Sequence, residues 1–89
     1  MKTYFNNANG NKYEVLARYF DDVMLLKTES NNYIVARWIK NNEWRSGHYW
    51  MNNKDGACND FYKCVAEEIN NGGTVEVTIE AVKNFYKEA

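Results

Sequence analysis

The side chains of this sequence best suited to nucleophilic chemistry are two thiols and one imidazole: Cys58, Cys64 and the single histidine, His48. Thiol catalysis requires a thiolate, a neighbouring base and a group that stabilises the developing oxyanion. The spacing instead places both cysteines on a predicted helix, with Cys58 on its apolar side, where burial raises the pKa of a thiol and makes it unreactive. We therefore interpret the thiols as small core residues and predict no catalytic residue.

Metal-ligating residue types are present, but their spacing does not match a zinc site. Zinc is held by about four ligands, usually with a close pair such as Cys-x-x-Cys. Here the two thiols lie on different sides of the predicted helix, and the adjacent carboxylates of Glu67 and Glu68 diverge. Gly72-Gly73 is not followed by the Lys-Ser/Thr pair of a phosphate-binding loop. The sequence thus predicts no metal site and no cofactor, and we do not expect an enzyme.

The cluster with the clearest functional pattern is rich in aromatic and basic residues. Its candidate partner-binding residues are Arg37, Trp38, Trp44, Arg45, His48, Tyr49 and Trp50. Trp, Tyr and Arg anchor protein interfaces because they bury a large area and still form hydrogen bonds. The same residue types also stack on bases, so the alternatives are a core hairpin, a protein interface and a nucleotide or nucleic-acid contact. Strand alternation predicts that His48 and Trp50 share one face and that Tyr49 points away.

Period-two alternation and turn residues predict the strands that position this cluster. The predicted strands are Lys12–Phe20, Val23–Thr28, Tyr33–Lys40 and Gly47–Met51, after an apolar pair at Tyr4-Phe5 and a hairpin signal at Asn9-Gly10. Alternation places Arg37 and Ile39 on one face and Trp38 on the other. Trp44 is expected in a loop over residues 41–46.

The period changes after Asp55, where apolar residues follow the spacing of one helical stripe. The stripe consists of Cys58, Phe61, Tyr62, Val65 and Ile69. Asp55 is predicted to cap this helix, and Gly72-Gly73 to end it. A second helix is predicted over Ile79–Glu88, because apolar residues recur there at helical spacing and Lys83 and Lys87 lie late in the segment.

These elements predict an α+β fold: an antiparallel β-meander of about four to five strands packed with one amphipathic helix and a second C-terminal helix. Thr78 could cap the second helix, and an extended piece over residues 75–79 is expected before it. At 89 residues, the chain is expected to form a single domain over residues 1–89.

The charge distribution argues against a general nucleic-acid binder. The formal net charge is −1, whereas such proteins carry an excess of Lys and Arg. Residues 37–54 are basic, with four cationic side chains against one carboxylate, and residues 55–89 are acidic. No apolar run has the length of a membrane span or resembles a signal peptide. We therefore expect a cytoplasmic protein with reduced thiols and no membrane contact.

Strand, hairpin and helix signals follow one another in five short segments: YIVAR at 33–37, W at 44, GHYW at 47–50, A at 57 and DFYK at 60–63. Together these segments resemble a module of small uncharacterised accessory proteins from Firmicutes phages and mobile elements. In that group, a YxVA strand leads to a W-x-x-G-x-Y hairpin and then an A-x-x-DF helix. The resemblance implies no catalytic residues. It implies a setting in which small proteins often act against host defence, including anti-CRISPR proteins.

The function expected from the sequence is therefore non-enzymatic binding and inhibition. The expected partner is a host defence protein, for example a CRISPR effector, in the cytoplasm of the bacterial host. Direct nucleic-acid binding is not expected, and a homodimer is left open. The alternative is an oligomeric binding module that sequesters a nucleotide signal or another small ligand, with aromatic residues stacking on the base and arginines meeting the phosphates.

Overall fold

The computed structural model describes residues 2–72 and 76–88, over which the chain forms five strands followed by two helices. The strands are β1 (Thr3–Asn6), β2 (Lys12–Tyr19), β3 (Val23–Lys27), β4 (Tyr33–Lys40) and β5 (Glu43–Trp50). They pair in chain order as one antiparallel sheet. The helices are α1 (Lys54–Gly72) and α2 (Ile79–Glu88). The predicted α+β meander is confirmed, together with the bounds of the second helix.

Two asparagines build the turn between β4 and β5. Asn41 and Asn42 have φ angles of 55° and 61°, the left-handed conformation that Asn tolerates better than most residues with a Cβ. Two consecutive residues of this kind form the tight turn that matches the twist of a β-hairpin. The predicted loop over residues 41–46 is therefore wrong, because β5 begins at Glu43 and contains Trp44.

Helix α1 packs on one face of the sheet, which we call the helix face. The core there includes Val23, Leu25, Tyr33, Val35, Ala57, Phe61, Cys64 and Val65. The predicted apolar stripe thus faces the sheet, although its flanks are only partly buried. The cap differs from the prediction: the Gly56 N–H donates to Asn53 Oδ1 at 2.9 Å. Because the helix already begins at Lys54, the cap position falls on Asn53, and Asp55 lies within the first turn.

Helix α2 is fixed to both α1 and the sheet. Val82 is buried in the helix-face core, and the Tyr86 hydroxyl donates to the Arg18 carbonyl of β2 at 3.0 Å. The predicted cap at Thr78 is confirmed, since the Ala81 N–H donates to its Oγ1 at 3.1 Å. These contacts bring the C-terminal aromatic residues next to the end of β2.

The Asn70 side chain ties the connection between the helices to α1. It donates to the Val77 carbonyl at 2.9 Å and accepts from the Val77 N–H at 2.6 Å. Residues 76–78 are neither helical nor paired as a strand; the earlier part of the predicted extended piece, including Val75, lies outside the described residues. Neither described helix is long and apolar enough to cross a membrane.

The opposite face of the sheet curls over a second apolar cluster, and we call it the curved face. The buried side chains of this cluster are Met24, Leu26, Ile34 and Ala36. Trp44 closes the cluster, with its ring 6.2 Å from the ring of Phe5 and 5.6 Å from that of Tyr13. The Ala8 N–H also donates to the Asn42 carbonyl at 3.0 Å, so the two edges of the sheet meet at this end. Trp44 is therefore a partly buried residue that packs against this cluster.

Irregularities in β2 and β4 each move the strand's side chains from one face of the sheet to the other. The register between β2 and β3 shifts after Val15, which packs on the curved face while Ala17 packs on the helix face. In β4, Trp38 has a φ of 57°. Arg37 consequently points to the helix face and Ile39 to the curved face. The predicted placement of Arg37 and Ile39 on one face, with Trp38 opposite, is wrong for this reason.

Candidate functional site

The structure distributes the seven predicted contact residues over both faces of the sheet. On the helix face, in contact with α1, lie Arg37, Trp38, His48 and Trp50. On the curved face, the Trp44 indole N–H donates to the Tyr49 hydroxyl at 3.2 Å. Arg45 is exposed on β5. The prediction that His48 and Trp50 share one face and Tyr49 points away is confirmed, but the seven residues do not form one continuous patch.

Arg37 belongs to an internal ion-pair network with α1, which we call the Arg37 network (Arg37, Trp38, Glu67 and Glu68). Its Nη1 lies 3.1 Å from Glu67 Oε2, and its Nη2 lies 2.6 Å from Glu68 Oε1. The Trp38 indole N–H donates to the same Glu68 oxygen at 2.8 Å, and the guanidinium lies 4.4 Å from the centre of the Trp38 ring. Arg37 is only 9% exposed. Its charge is thus matched inside the fold and is not presented to a phosphate or a partner.

A second polar group, the Asp60 cluster (His48, Trp50, Asp60 and Cys64), lies between β5 and α1. Asp60 Oδ2 lies 2.7 Å from His48 Nδ1 and accepts from the Trp50 indole N–H at 3.1 Å. The Cys64 thiol donates to Asp60 Oδ1 at 3.6 Å. Asp60 and Cys64 are four residues apart on α1, so their side chains lie one above the other on the same side of the helix. Sequence reasoning considered the thiols with His48 but did not include Asp60, whose contact with His48 joins residues 12 positions apart on different elements.

The order of groups in the Asp60 cluster does not activate the thiol. Asp60 lies between His48 and Cys64, whereas a cysteine nucleophile needs the imidazole next to the sulfur. Burial, with a further contribution from the nearby Asp60 carboxylate, raises the pKa of Cys64 to about 11. Burial also raises the pKa of Cys58. Both free thiols therefore remain protonated near neutral pH, as expected of core residues.

Gly47 explains the W-x-x-G-x-Y motif in structural terms. A Cβ at this position would lie 2.9 Å from Trp44 Nε1 and 3.1 Å from the Tyr49 hydroxyl. Any side chain here would therefore force apart the hydrogen bond that joins Trp44 and Tyr49 across the glycine. The motif fixes a contact on the curved face. It does not by itself create a binding site.

A different surface carries the most exposed aromatic rings, and we call it the aromatic ridge (Tyr19, Phe20, Phe85 and Tyr86). Phe20 is 73% exposed and Phe85 69%, while Tyr19 and Tyr86 are half-buried between them and the core. The Tyr86 hydroxyl holds α2 against β2 beside Tyr19. Burial, and secondarily the neighbouring Tyr19, raises the pKa of Tyr86. The two halves of the ridge, from the β2–β3 turn and from α2, thus meet at the two tyrosines.

Sequence reasoning missed the aromatic ridge because each half had an ordinary explanation. The sequence pattern places Phe20 at the end of a strand, and it explains Phe85 and Tyr86 by the helical spacing of the second helix. The available signal was Phe20 itself, directly before the turn residues Asp21 and Asp22, where a small or polar residue is the common choice.

No protein-family model, no curated protein and no solved structure matches the chain. We therefore infer function from the exposure, backbone conformation and contacts of the described residues. On those grounds the aromatic ridge and the Asp60 cluster are the two features that the packing of the core leaves unexplained.

Proposed function

We propose that this chain is a non-catalytic protein-binding domain that docks on its partner through the aromatic ridge and blocks the partner by covering a functional surface. The observation that supports this most strongly is Phe20, which combines a left-handed backbone, φ 48°, with a ring that is 73% exposed. The left-handed backbone belongs to the β2–β3 turn, which the Asp22 N–H closes by donating to the Tyr19 carbonyl at 3.1 Å. That turn does not require a phenylalanine, and the ring packs edge-on against Tyr19 while remaining mostly in water. The turn thus presents a large apolar side chain where a second protein could bury it.

The backbone conformation of Phe20 is unfavourable for its residue type. A left-handed conformation costs a residue with a Cβ roughly 1–2 kcal/mol, and bulky residues rarely adopt it. Elsewhere in the described residues this chain uses asparagine for the same conformation, at Asn31, Asn41, Asn42 and Asn52. The remaining non-glycine exception is Trp38, whose ring contacts Arg37 and Glu68. The Phe20 ring packs edge-on against Tyr19, 4.9 Å between ring centres, but it makes no polar contact like that of Trp38 among the described residues, and most of it stays in water. Its retention therefore points to a role outside the fold.

The surroundings of Phe20 are those of an interface. Phe85 adds a second exposed ring from α2, and the half-buried Tyr86 supplies a hydroxyl between apolar surfaces. Aromatic residues dominate the binding energy of protein interfaces because they bury much area at little cost in side-chain entropy. An exposed ion pair between Arg18 and Asp21 flanks the turn and would form part of a polar rim.

We assign the partner to the host defence proteins, with a CRISPR effector as the first candidate. The support is the resemblance of the YxVA, W-x-x-G-x-Y and A-x-x-DF segments to accessory proteins of phages and mobile elements. A module that binds and covers its target needs no chemistry of its own, and both thiols of this chain are protonated and at least partly buried.

Plaque formation tests this proposal. The chain is expressed in strains whose CRISPR systems, one effector type per strain, target an infecting phage. We expect plaques to be restored in at least one strain, and we expect the purified chain to inhibit DNA cleavage by that effector. The double variant Phe20→Asn with Phe85→Gln should lose both effects. A matched variant on the originally predicted surface, Arg45→Ala with Tyr49→Ala, should keep them.

The experiment distinguishes an error in the binding surface from an error in the choice of partner. Loss of inhibition in the β5 variant, with full activity in the ridge variant, would place the contact on β5 and overturn the assignment of the ridge. Wild-type protein that protects the phage in none of the strains would overturn the choice of a CRISPR effector. Both variants alter exposed side chains, so each is first checked for a wild-type unfolding curve.

The nucleotide-sequestering alternative has less support. Of the two arginines expected to meet phosphates, Arg37 is held by two carboxylates of α1, which leaves only the exposed Arg45 of β5. A groove of about 340 Å³ beside Trp44 is lined by Asn7, Ala8, Asn9 and Glu43, which provide no positive charge for a phosphate. A second groove beside Trp44, of about 250 Å³, contains Lys40 and Arg45 but also the Glu43 carboxylate.

A further inference from the structure

We propose that His48, Asp60 and Cys64 form a binding site for a thiophilic divalent cation of the Zn²⁺ class. Their donor atoms, an imidazole nitrogen, a carboxylate oxygen and a thiol sulfur, all lie within 4.8 Å of one another. These are the three kinds of donor that hold Zn²⁺ in proteins. The inference is independent of the aromatic ridge and of the partner that the ridge binds.

Helix α1 and strand β5 already hold the three donor atoms close enough to share one metal ion. Asp60 and Cys64 occupy positions i and i+4 of α1, and His48 faces them from β5. Donors of a tetrahedral Zn²⁺ site, at bond lengths of about 2.0–2.3 Å, are separated by roughly 3–4 Å. The Cys64 sulfur is already 3.6 Å from Asp60 Oδ1, and His48 Nδ1 is 2.7 Å from Oδ2. Because all three donor atoms already lie within 4.8 Å of one another, side-chain shifts of about 1 Å would bring them to the separations of a tetrahedral site.

The neighbouring groups match those around known metal ligands. The Trp50 indole N–H donates to Asp60 Oδ2 at 3.1 Å, the kind of contact that fixes the orientation of a ligating carboxylate. Binding replaces the hydrogen on the Cys64 sulfur with the metal and releases that proton to solvent. The His48 side chain is 47% exposed, so a cation can enter from this side and water can complete the coordination.

Titration with Co²⁺, a spectroscopic substitute for Zn²⁺, tests the site. With fully reduced protein we expect one equivalent of Co²⁺ to produce visible bands of a tetrahedral ion and a near-ultraviolet charge-transfer band from a thiolate, both removed by added Zn²⁺. Cys64→Ser should abolish the charge-transfer band. Cys58→Ser, which changes the other thiol of the same helix, should leave the spectrum unchanged. His48→Gln should weaken Co²⁺ binding at least about tenfold.

Each outcome decides the question. A spectrum without the charge-transfer band, or a band lost in Cys58→Ser but kept in Cys64→Ser, would overturn the site. So would an unchanged affinity in His48→Gln. That variant alters an exposed side chain and should fold, so the test stands even where Cys64→Ser is too unstable to measure. If the site is wrong, the Asp60 cluster is only a hydrogen-bonded link between β5 and α1.

Discussion

Replacement of Arg37 by methionine should destabilise the fold by about 2 kcal/mol. Methionine fills much of the same space but removes the guanidinium that pairs with Glu67 and Glu68. The Glu68 side chain is 17% exposed, so its carboxylate would lose a charged partner in a position where water only partly replaces it. The Trp38 indole N–H, at 2.8 Å, would remain as its donor.

The magnitude follows from two opposing contributions. Removing one partner of a buried ion pair usually costs about 3–5 kcal/mol. Arg37 Nε, however, is buried and has no hydrogen-bond partner among the described residues, and relieving a buried unsatisfied donor returns about 1–3 kcal/mol. The difference is about 2 kcal/mol, smaller than for a fully satisfied buried pair.

The two carboxylates should contribute unequally. Glu67→Gln should cost less than about 1 kcal/mol, as is typical of exposed ion pairs, because the Glu67 side chain is 46% exposed. Glu68→Gln should cost roughly 1–2 kcal/mol, since it removes the closer and more buried charge but keeps an acceptor for Trp38. The expected order of destabilisation is therefore Arg37→Met, then Glu68→Gln, then Glu67→Gln.

Urea unfolding followed by tryptophan fluorescence measures the free energy of unfolding of all three variants. The comparison holds if the dependence of that free energy on urea concentration is the same in each variant. Wild-type stability for Arg37→Met, or equal effects of the two glutamate variants, would refute the Arg37 network. Arg37 would then be solvated and available to a partner, as the sequence alone suggested.

Three further predictions test single features of the structure. Phe20→Asn should change the free energy of unfolding by less than about 1 kcal/mol, because relief of the left-handed backbone offsets the small area that the ring buries; a loss of more than about 2 kcal/mol would mean that the ring packs in solution. Cys58 should react with a thiol reagent before Cys64 in the folded protein, since Cys64 is buried and burial raises its pKa to about 11. Peptide mass spectrometry should show equal labelling of the two thiols only in denaturant. Asn53→Ala should destabilise α1 by about 1 kcal/mol as the loss of a cap, and by more than Asp55→Ala does; the reverse order in thermal unfolding would restore Asp55 as the cap.

The helices could be predicted because their signals are local. Apolar residues at helical spacing identify the buried side of α1, and Thr78 identifies the start of α2 by its own hydrogen bond to the Ala81 N–H. The meander could be predicted for the same reason, from alternation and turn residues. The missed length of β5 also had a local cause: Asn41 and Asn42 can close a hairpin in two residues, whereas a longer loop was assumed.

The candidate site was harder to predict because its contacts are distant along the chain and its strands change face. The carboxylates that neutralise Arg37 lie 30 and 31 residues away along the chain. Residue types alone therefore predict an exposed binding residue where the fold has an internal ion pair. Alternation also assumes an uninterrupted strand. Trp38, with its left-handed backbone, and the register shift after Val15 both break that assumption, and each redirects the residues that follow it.

Trp38 and Phe20 share an unusual backbone conformation but differ in how far the fold accounts for it. Both residues adopt the left-handed conformation that this chain elsewhere gives to asparagine. Trp38 is compensated, because its indole donates to Glu68 and its ring lies under the Arg37 guanidinium. Phe20 leaves most of its ring in water. Its edge-on contact with Tyr19 compensates the conformation less than the contacts of Trp38 do. Since an unfavourable conformation persists only where something selects for it, Phe20 is the better guide to binding, and it directs the first functional test to the aromatic ridge.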